Sequence, residues 1–304
     1  MRRAAARALD SDFAYALAHS PIAVVSLLVV VFCILAAILA PVIAPHDPFN
    51  LASLNLVDSF RPPLGVADGD WTYPLGTDDQ GRDVLSGIMY GMRISLLVGA
   101  AAIVFATLVG VTLGLVAGYA GGSVDAALMR VADVQLTFPN ILIALLIDGV
   151  VTAALPKNLH EHLQIYVIIF AIGISLWPQF ARTVRGSTLV ERNREYVMAA
   201  RVIGLSSARI MFTHVLPNVL GPVLVIATLT FGLAIIAEAT LSFLGVGLPV
   251  TQPSLGTLIR LGNDFLFSGE WWVTIFPGLA LVVMVLSINL LGDWLRDALN
   301  PRLR

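Results

Sequence analysis

The stretch EYVMAARVIGLSSARIMFTHVLPN, residues 195–218, decides how this chain is organised, because it is helical in pattern yet too polar to cross a bilayer. Small and apolar side chains recur in its first part at helical spacing, which predicts one face of a short helix. They are Tyr196, Ala199, Ala200 and Ile203. The stretch therefore predicts a helical element that lies outside the membrane between two apolar segments.

Local signals divide this stretch into two helices. Gly204 ends the first helix, because glycine readily adopts the left-handed conformation just past a helix end. Ser206 is a candidate N-cap for the second helix, since its side chain can accept a hydrogen bond from a free backbone N–H. Pro217 marks the start of the following segment. The stretch is thus predicted to fold as helix, turn and helix.

The first helix has the character of a docking surface. Ala199 and Ala200 are small, so a partner could approach the backbone closely at these positions. Arginines surround the same face with positive charge. They are Arg192, Arg194, Arg201 and Arg209.

Composition places the rest of the chain in a membrane. Hydrophobic residues make up 58% of the 304 residues and charged residues only 12%, whereas soluble proteins contain about 25% charged residues. Cys33 is the only cysteine, so no disulfide can form within the chain. The sequence predicts an all-α integral membrane protein.

Six apolar runs are long enough to cross the roughly 30 Å hydrocarbon core as helices. They cover residues 22–43, 94–119, 134–155, 165–183, 219–243 and 272–291. The implied organisation is a cytoplasmic segment 1–21, a first transmembrane helix 22–44, an external loop 45–92, a five-helix domain 93–297 with a cytoplasmic loop 186–217, and a tail 298–304.

Two features inside these runs concern helix geometry. Gly110, Gly114 and Gly118 recur every four residues in the second run, a spacing that lets two helices pack closely where lipid supplies no hydrophobic drive. Pro139 breaks the third run. We expect a packing face at the glycines and a discontinuity at the proline.

Basic residues select the orientation. With the N-terminus inside, thirteen of the eighteen basic residues face the cytoplasm. Cytoplasmic loops carry an excess of arginine and lysine. We therefore expect a multi-pass protein with both termini and loop 186–217 in the cytoplasm.

Glu238 is a carboxylate inside an apolar run, nearer the outer surface than the middle of the bilayer. A charge at the bilayer centre costs about 3 kcal/mol on insertion scales, so the side chain should face the helix bundle or a cavity. Alternatively, it reaches the outer headgroups. We expect a role as a gate or as support of the outer loop, accepting backbone hydrogen bonds at residues 242–247, ahead of direct contact with a substrate.

Motifs for chemistry are missing from the sequence. A nucleotide-binding P-loop requires a lysine that reaches the phosphates, and the only lysine, Lys157, stands between Pro156 and Asn158. His160 and His162 alternate in a short polar loop, a pattern more typical of solvated residues than of a metal site. We expect no enzyme activity, no metal site and no cofactor in this chain.

Four stretches resemble the permease subunits of ABC importers. Ala199-Ala200, Gly204 and Leu216-Pro217 resemble the family's EAA loop, with Met198 in place of the motif's glutamate. The stretches 74–100 (PLGTDDQGRDVLSGIMYGMRISLLVGA), 239–250 (ATLSFLGVGLPV) and 289–302 (NLLGDWLRDALNPR) are similar to the C-type subunit of dipeptide/oligopeptide (and nickel) importers. The resemblance implies a type I ABC importer permease architecture with six transmembrane helices.

The resemblance also implies a site. Loop 186–217, the coupling loop, would carry a helix that sits in a groove of a cytoplasmic ATPase. Its residues would be Tyr196, Ala199, Ala200, Arg201, Gly204, Leu205 and Pro217. We expect Ala199, Ala200 and Gly204 to lie closest to the ATPase.

The partners implied by the resemblance are a second permease subunit in a heterodimer, two ATP-binding subunits that hold ATP and Mg, and an external or periplasmic substrate-binding protein. The location would be a bacterial plasma (inner) membrane, in contact with lipid and with no nucleic acid. Peptides are the expected substrates, while nickel, glutathione, sugars or another small solute stay open. A secondary transporter without ATPase partners and a purely structural membrane subunit are the alternatives from other classes.

Overall fold

A computed structural model describes residues 13–48, 56–154, 156–248 and 252–298, without the side chains of residues 13–14 and 157–162. Most of the predicted N-terminal segment 1–21 and nearly all of the predicted tail 298–304 therefore lie outside the described residues. Residues 49–55 of the predicted external loop also lie outside them.

The described residues form α-helices joined by turns. In chain order the helices are α1 (Phe13–Ala18), α2 (Pro21–Ile43), α3 (Val84–Ala120), α4 (Gly122–Leu136), α5 (Asn140–Ala154), α6 (Lys157–Glu191), α7 (Glu195–Val202), α8 (Ser207–Ile210), α9 (Leu216–Phe243), α10 (Leu255–Asn263) and α11 (Trp272–Ala298). A 3₁₀ turn covers Leu56–Asp58, and a π-helical turn, Met211–Val215, joins α8 to α9.

Five segments of the described chain are long and apolar enough to cross a membrane. They are Pro21–Ile43, Val84–Ala120, Leu163–Glu191, Ser207–Phe243 and Trp272–Ala298. Helices α4 and α5 qualify as a sixth span only as a pair, which is bent by 92°. The all-α membrane class is confirmed.

The bend between α4 and α5 lies where the sequence contains Pro139. Proline has no backbone N–H to donate, and it disfavours the helical conformation of the residue before it. Helix α4 ends at Leu136 and α5 begins at Asn140. The discontinuity expected in the third apolar run is thus present, and it separates two helices of different direction.

The second span begins earlier than the apolar run indicates. Hydropathy places its start at residue 94, whereas α3 begins at Val84. Asp83 caps the helix, because its carboxylate accepts the backbone N–H of Ser86 at 2.9 Å. Hydropathy detects only the lipid-facing length of a helix, so it misses the first turns, most of which are buried in protein.

Helix α10 lies between the fifth and sixth apolar runs, where the sequence analysis predicts no helix. Ser254 begins the helix by accepting the N–H of Thr257 at 3.3 Å. Gly256 lets it lie directly on α9, since an added Cβ would be 2.6 Å from the Cα of Ala239. Two glycines in a nine-residue helix conceal it, because glycine is a poor helix former.

Helices α3 and α6 touch along the glycine series. A Cβ added to Gly114 would lie 2.9 Å from the Cβ of Val184, and one added to Gly118 would lie 2.7 Å from the Cβ of Thr188. Real Cβ atoms do not approach so closely, so only glycine allows this contact. The packing face expected from the spacing is confirmed, and it joins α3 to α6, the helix that leads into the coupling loop.

We predict that Gly114→Ala destabilises the protein. The added Cβ meets the backbone of Ala181, which no rotamer change can move away. Overpacking of this kind costs about 1–3 kcal/mol. The midpoint of thermal unfolding of the detergent-purified protein should fall measurably.

Gly186→Ala on α6 is the matched control, because a Cβ there would meet open space. Its midpoint should stay at the wild-type value or rise, since alanine favours a helix over glycine. Equal midpoints for Gly114→Ala and the wild type would contradict the close contact between α3 and α6.

Candidate functional site

The coupling loop is fastened to the end of α3. The guanidinium of Arg192 donates a hydrogen bond to the backbone oxygen of Gly118 at 2.9 Å. The guanidinium of Arg201 stacks on the ring of Tyr119, with 5.1 Å from its central carbon to the ring centroid. Backbone oxygens at a helix C-terminus lack partners within the helix, so Arg192 satisfies a group that α3 leaves free.

Tyr196 closes the base of the same loop. Its hydroxyl donates to the carboxylate of Glu191 at 2.6 Å and accepts from the amide of Asn218 at 3.1 Å. Burial and the hydrogen bond to Glu191 raise the pKa of Tyr196, so its proton is retained. One side chain thereby links the end of α6, the first turn of α7 and the beginning of α9.

The predicted helix boundaries within the loop are confirmed. Gly204 has a φ of +80°, the left-handed conformation expected past the end of α7. The N–H of Leu205 then reaches back to the oxygen of Ala200 at 3.1 Å. Ser206 caps α8 by accepting the N–H of Arg209 at 3.4 Å.

The expectation that Ala200 faces a partner is wrong. Its side chain is 3% exposed and packs, together with Val197, into the chain's own core. Ala199 and Gly204 are exposed, as expected. Helical spacing alone groups small residues on one face, and the structure shows that Ala200 belongs to the inward face.

The outward face of α7 is an apolar ridge formed by Met198, Val202 and Ile203. These side chains are 49%, 87% and 73% exposed, respectively. Arg201 beside them is also exposed, as is Pro217 at the start of α9. The residue that replaces the motif's glutamate, Met198, thus extends an apolar surface.

A second site is a buried carboxyl. Glu238 on α9 is fully buried, and its two oxygens accept hydrogen bonds from the hydroxyls of Ser95 on α3 (2.8 Å) and Ser242 (2.7 Å). The hydroxyl of Ser254, the N-cap of α10, also lies close to this carboxyl. Ser95 in turn accepts the N–H of Leu255 at 3.3 Å. This hydroxyl cluster ties α3, α9 and α10 together.

The structure refines the expectation for Glu238. The side chain does not reach the headgroups, because none of it is exposed. Its partners are serine hydroxyls and not the backbone N–H groups of residues 242–247. Sequence reasoning missed Ser95 and Ser254, which are far apart in the chain and carry no motif.

A second carboxylate also lies in an apolar helix, and sequence reasoning overlooked it. Asp148 on α5 is 8% exposed, and the hydroxyl of Thr152 lies 3.4 Å from its oxygen. A lone carboxylate in the run 140–154 was the available signal.

No group of three or more His, Cys, Asp or Glu side chains suited to a metal occurs in the described part of the chain. The side chains of His160 and His162 lie outside that part.

A cavity of about 250 Å³ lies between α5, α6 and α9. Asn140 and Ser175 are its polar lining residues, and the rest of its wall is apolar. Ala237 and Leu241 line it from α9, one and three residues from Glu238, which is not itself a lining residue. The cavity therefore borders the helix that carries the buried carboxyl without containing it.

Two family models match the chain. Residues 110–304 match the "binding-protein-dependent transport system inner membrane component". Residues 11–63 match the "N-terminal TM domain of oligopeptide transport permease C".

Curated relatives cover nearly the whole chain. The di/tripeptide transport system permease protein DppC of Pseudomonas aeruginosa is 36% identical over 96% of this chain and 92% of its own length. The dipeptide transport system permease protein DppC of Haemophilus influenzae is 38% identical over 93% and 91%. The oligopeptide transport system permease protein OppC of Bacillus subtilis is 38% identical over 93% and 86%.

Solved structures support the fold. A chain of the MetNI methionine ABC transporter, in inward-facing conformations, superposes with a TM-score of 0.54 and 18% sequence identity. The match covers 69% of this chain and 94% of that chain. A second crystal form of the same transporter gives a TM-score of 0.51.

We predict that Glu238→Leu destabilises the protein more than Glu238→Gln. Leucine leaves the hydroxyls of Ser95 and Ser242 without their acceptor, and each buried unsatisfied group costs about 1–3 kcal/mol. Glutamine retains one acceptor oxygen and the side-chain shape. The midpoint of thermal unfolding in detergent should fall strongly for leucine and only slightly for glutamine.

Thr240→Val on the same helix serves as the control, because the hydroxyl of Thr240 donates an exposed hydrogen bond to the backbone oxygen of Ile236, away from the hydroxyl cluster. Its midpoint should match the wild type. The structural role of the hydroxyl cluster is refuted if Glu238→Leu unfolds at the wild-type temperature.

Proposed function

The chain belongs to the family of binding-protein-dependent transport system inner membrane components, and on that premise we propose that it forms part of the translocation pathway of an ATP-driven peptide importer. It is the permease subunit of such a system, with helices that cross the membrane. The exposed apolar ridge on α7 is the observation that carries the ATP-driven part of the proposal.

Peptides are favoured as substrates by the relatives. The permeases with 36–38% identity over nearly the full chain are named for di/tripeptide, dipeptide and oligopeptide transport. The match of residues 11–63 to a domain of oligopeptide permease C extends this likeness to the first span. The wall of the cavity between α5, α6 and α9 is largely apolar, which suits peptides with varied side chains.

The proposed assembly contains a second permease subunit, two ATP-binding subunits and an external binding protein. This chain lacks a nucleotide-binding motif, so ATP and Mg would be held by the ATP-binding subunits. Nucleic acid has no place in this assembly. The proposed location is a bacterial inner membrane with both termini and the coupling loop in the cytoplasm, following the distribution of basic residues.

The coupling helix is proposed to be α7. Its ridge, Met198, Val202 and Ile203, would enter a groove of an ATP-binding subunit, because exposed contiguous apolar surface marks interaction sites. Ala199 and Gly204 are exposed on the same helix and would allow close approach. Tyr196, Arg201, Leu205 and Pro217 would hold the helix in position, and Ala200 would anchor it from inside.

Transport would follow from mechanical coupling. Closure of the ATP-binding subunits on ATP moves α7, which is fastened to α3 through Arg201 and to α6 and α9 through Tyr196. Because these contacts are direct, a displacement of α7 moves the attached membrane-spanning helices and is not absorbed by a flexible loop. ATP shifts the equilibrium between outward and inward states in proportion to its differential affinity for them.

We predict that Val202→Glu abolishes transport by the assembled importer. A charge without a partner in a packed groove costs several kcal/mol, and about 1.4 kcal/mol already corresponds to a tenfold change. Uptake of a labelled dipeptide into proteoliposomes, driven by ATP and the binding protein, should fall by at least about tenfold. Unlabelled oligopeptide should compete in the wild type, whereas nickel and glutathione should not.

Val202→Ile is the matched control, because it preserves an apolar side chain at the same position and should retain uptake. Both variants should reach wild-type levels in the membrane, since Val202 is exposed. Normal uptake by Val202→Glu would refute the coupling role of α7. Wild-type uptake of nickel or glutathione without any uptake of peptide would refute the proposed substrate.

A further inference from the structure

Between α2 and α3 the chain builds a compact outer module, residues 56–83. Arg82 Nε donates to Asp78 Oδ2 at 2.6 Å, and the two side chains are only 8% and 11% exposed. The indole of Trp272 donates to the backbone oxygen of Thr77 at 3.0 Å, which fastens the module to the start of α11. The module is therefore a rigid platform on the bundle.

The tip of the module holds Trp71 in a braced turn. The carboxylate of Asp70 accepts the backbone N–H of Thr72 at 2.8 Å and that of Tyr73 at 3.4 Å, and it pairs with Arg61 at 3.3 Å. The N–H of Thr72 in particular holds the pKa of Asp70 below its usual value, so the carboxylate stays charged. The residues on both sides of Trp71 are thus fixed.

Despite this bracing, the indole of Trp71 is 83% exposed. Tryptophan is highly buried on average, and a rigid exposed aromatic is the residue type that dominates binding energy at interfaces. Asp68 and Asp70, which both precede Trp71 in the chain, are also exposed. The tip therefore presents an apolar ring next to two acidic residues.

The module stands clear of the hydrocarbon. Arg93 is exposed on α3, and because an arginine is costly inside a bilayer it marks the outer limit of the membrane-embedded part. With a rise of about 1.5 Å per residue, Val84 lies about 13 Å further out along the helix. The module precedes Val84, so its tip faces the aqueous phase.

The charge of the module also disfavours contact between its tip and a lipid surface. Residues 56–83 contain six aspartates and two arginines. Anionic lipids attract basic segments and repel acidic ones. A protein partner is thus favoured over the membrane surface.

We propose that Trp71, together with the preceding Asp68 and Asp70, is the contact through which this subunit receives the external binding protein. The inference rests on the proposed function, in which such a protein delivers the substrate. The fitting surface is an apolar pocket for the indole with lysine or arginine at its rim. Bringing together opposite charges at such a rim speeds the encounter between the two proteins.

Trp71→Ala in the assembled importer tests this contact. The probe is the binding protein that stimulates ATP hydrolysis by the wild-type importer, titrated over a wide range of concentrations. The half-maximal concentration should rise at least about tenfold, while basal ATP hydrolysis and the rate at saturation stay unchanged. Trp71→Phe should restore part of the affinity, because it keeps an aromatic ring.

Phe267→Ala is the control for exposed aromatic residues in general, since Phe267 is 96% exposed between α10 and α11. It should leave the half-maximal concentration at the wild-type value. An unchanged value for Trp71→Ala, or an equal rise for Phe267→Ala, would overturn the inference.

Fluorescence separates the membrane from the binding protein as the occupant. The emission of Trp71 is the difference between the fluorescence spectra of the wild type and of Trp71→Phe, both in phosphatidylcholine nanodiscs. This difference should not be quenched when the lipid acyl chains are brominated. Strong quenching would place the ring in lipid. That result would overturn this inference but leave the proposed function intact. Failure of any binding protein to stimulate the wild-type importer would instead overturn the proposed function, and this inference with it.

Discussion

The backbones of α3 and α6 touch along Gly110, Gly114 and Gly118, and the end of the molecule that carries loop 186–217 depends on this contact. Lipid is as apolar as the side chains, so helices in a bilayer are held together by close packing and hydrogen bonds. A single Cβ at any of these glycines would push the helices apart. Because α7 is fastened to the ends of both helices, their fixed separation also fixes the base of the coupling loop.

The opposite end of the bundle is held by different chemistry. Glu238 accepts hydrogen bonds from the hydroxyls of Ser95 and Ser242, and Ser95 accepts the N–H of Leu255, so α3, α9 and α10 are joined by buried hydrogen bonds. A fully satisfied polar cluster stabilises one arrangement of its helices, because any other arrangement leaves buried polar groups unpaired. Helix α3 takes part in both the glycine contact with α6 and the hydroxyl cluster around Glu238. It therefore connects the coupling loop to the opposite end of the bundle. The cavity between α5, α6 and α9 lies beside this connected unit, next to the bent pair α4 and α5.

Much of this architecture follows from sequence, since hydropathy and periodicity report properties that are local in the chain. The apolar runs predicted the spans, the glycine spacing predicted the packing face, and Gly204 and Ser206 predicted the helix ends in the coupling loop. Hydropathy did not predict the early start of α3 or any of α10. These segments pack against protein and not against lipid, so they do not need a continuous run of apolar residues. Ala200 was assigned to the wrong face, since only tertiary packing distinguishes an inward small residue from an outward one. The partners of Glu238 escaped for the same reason: Ser95 and Ser254 meet it only in the folded chain.

We expect α3 and α6 to move as one body while the proposed importer cycles. Spin labels at Leu108 on α3 and Val190 on α6, both exposed, would report their separation in a Cys33→Ala background, because Cys33 is the only native cysteine. Double electron–electron resonance should be recorded without nucleotide and with ATP trapped, on labelled importer that still takes up peptide. If the two helices move together, the measurement gives one narrow distance distribution that is the same in both states. A shift or a second population on ATP binding would contradict it.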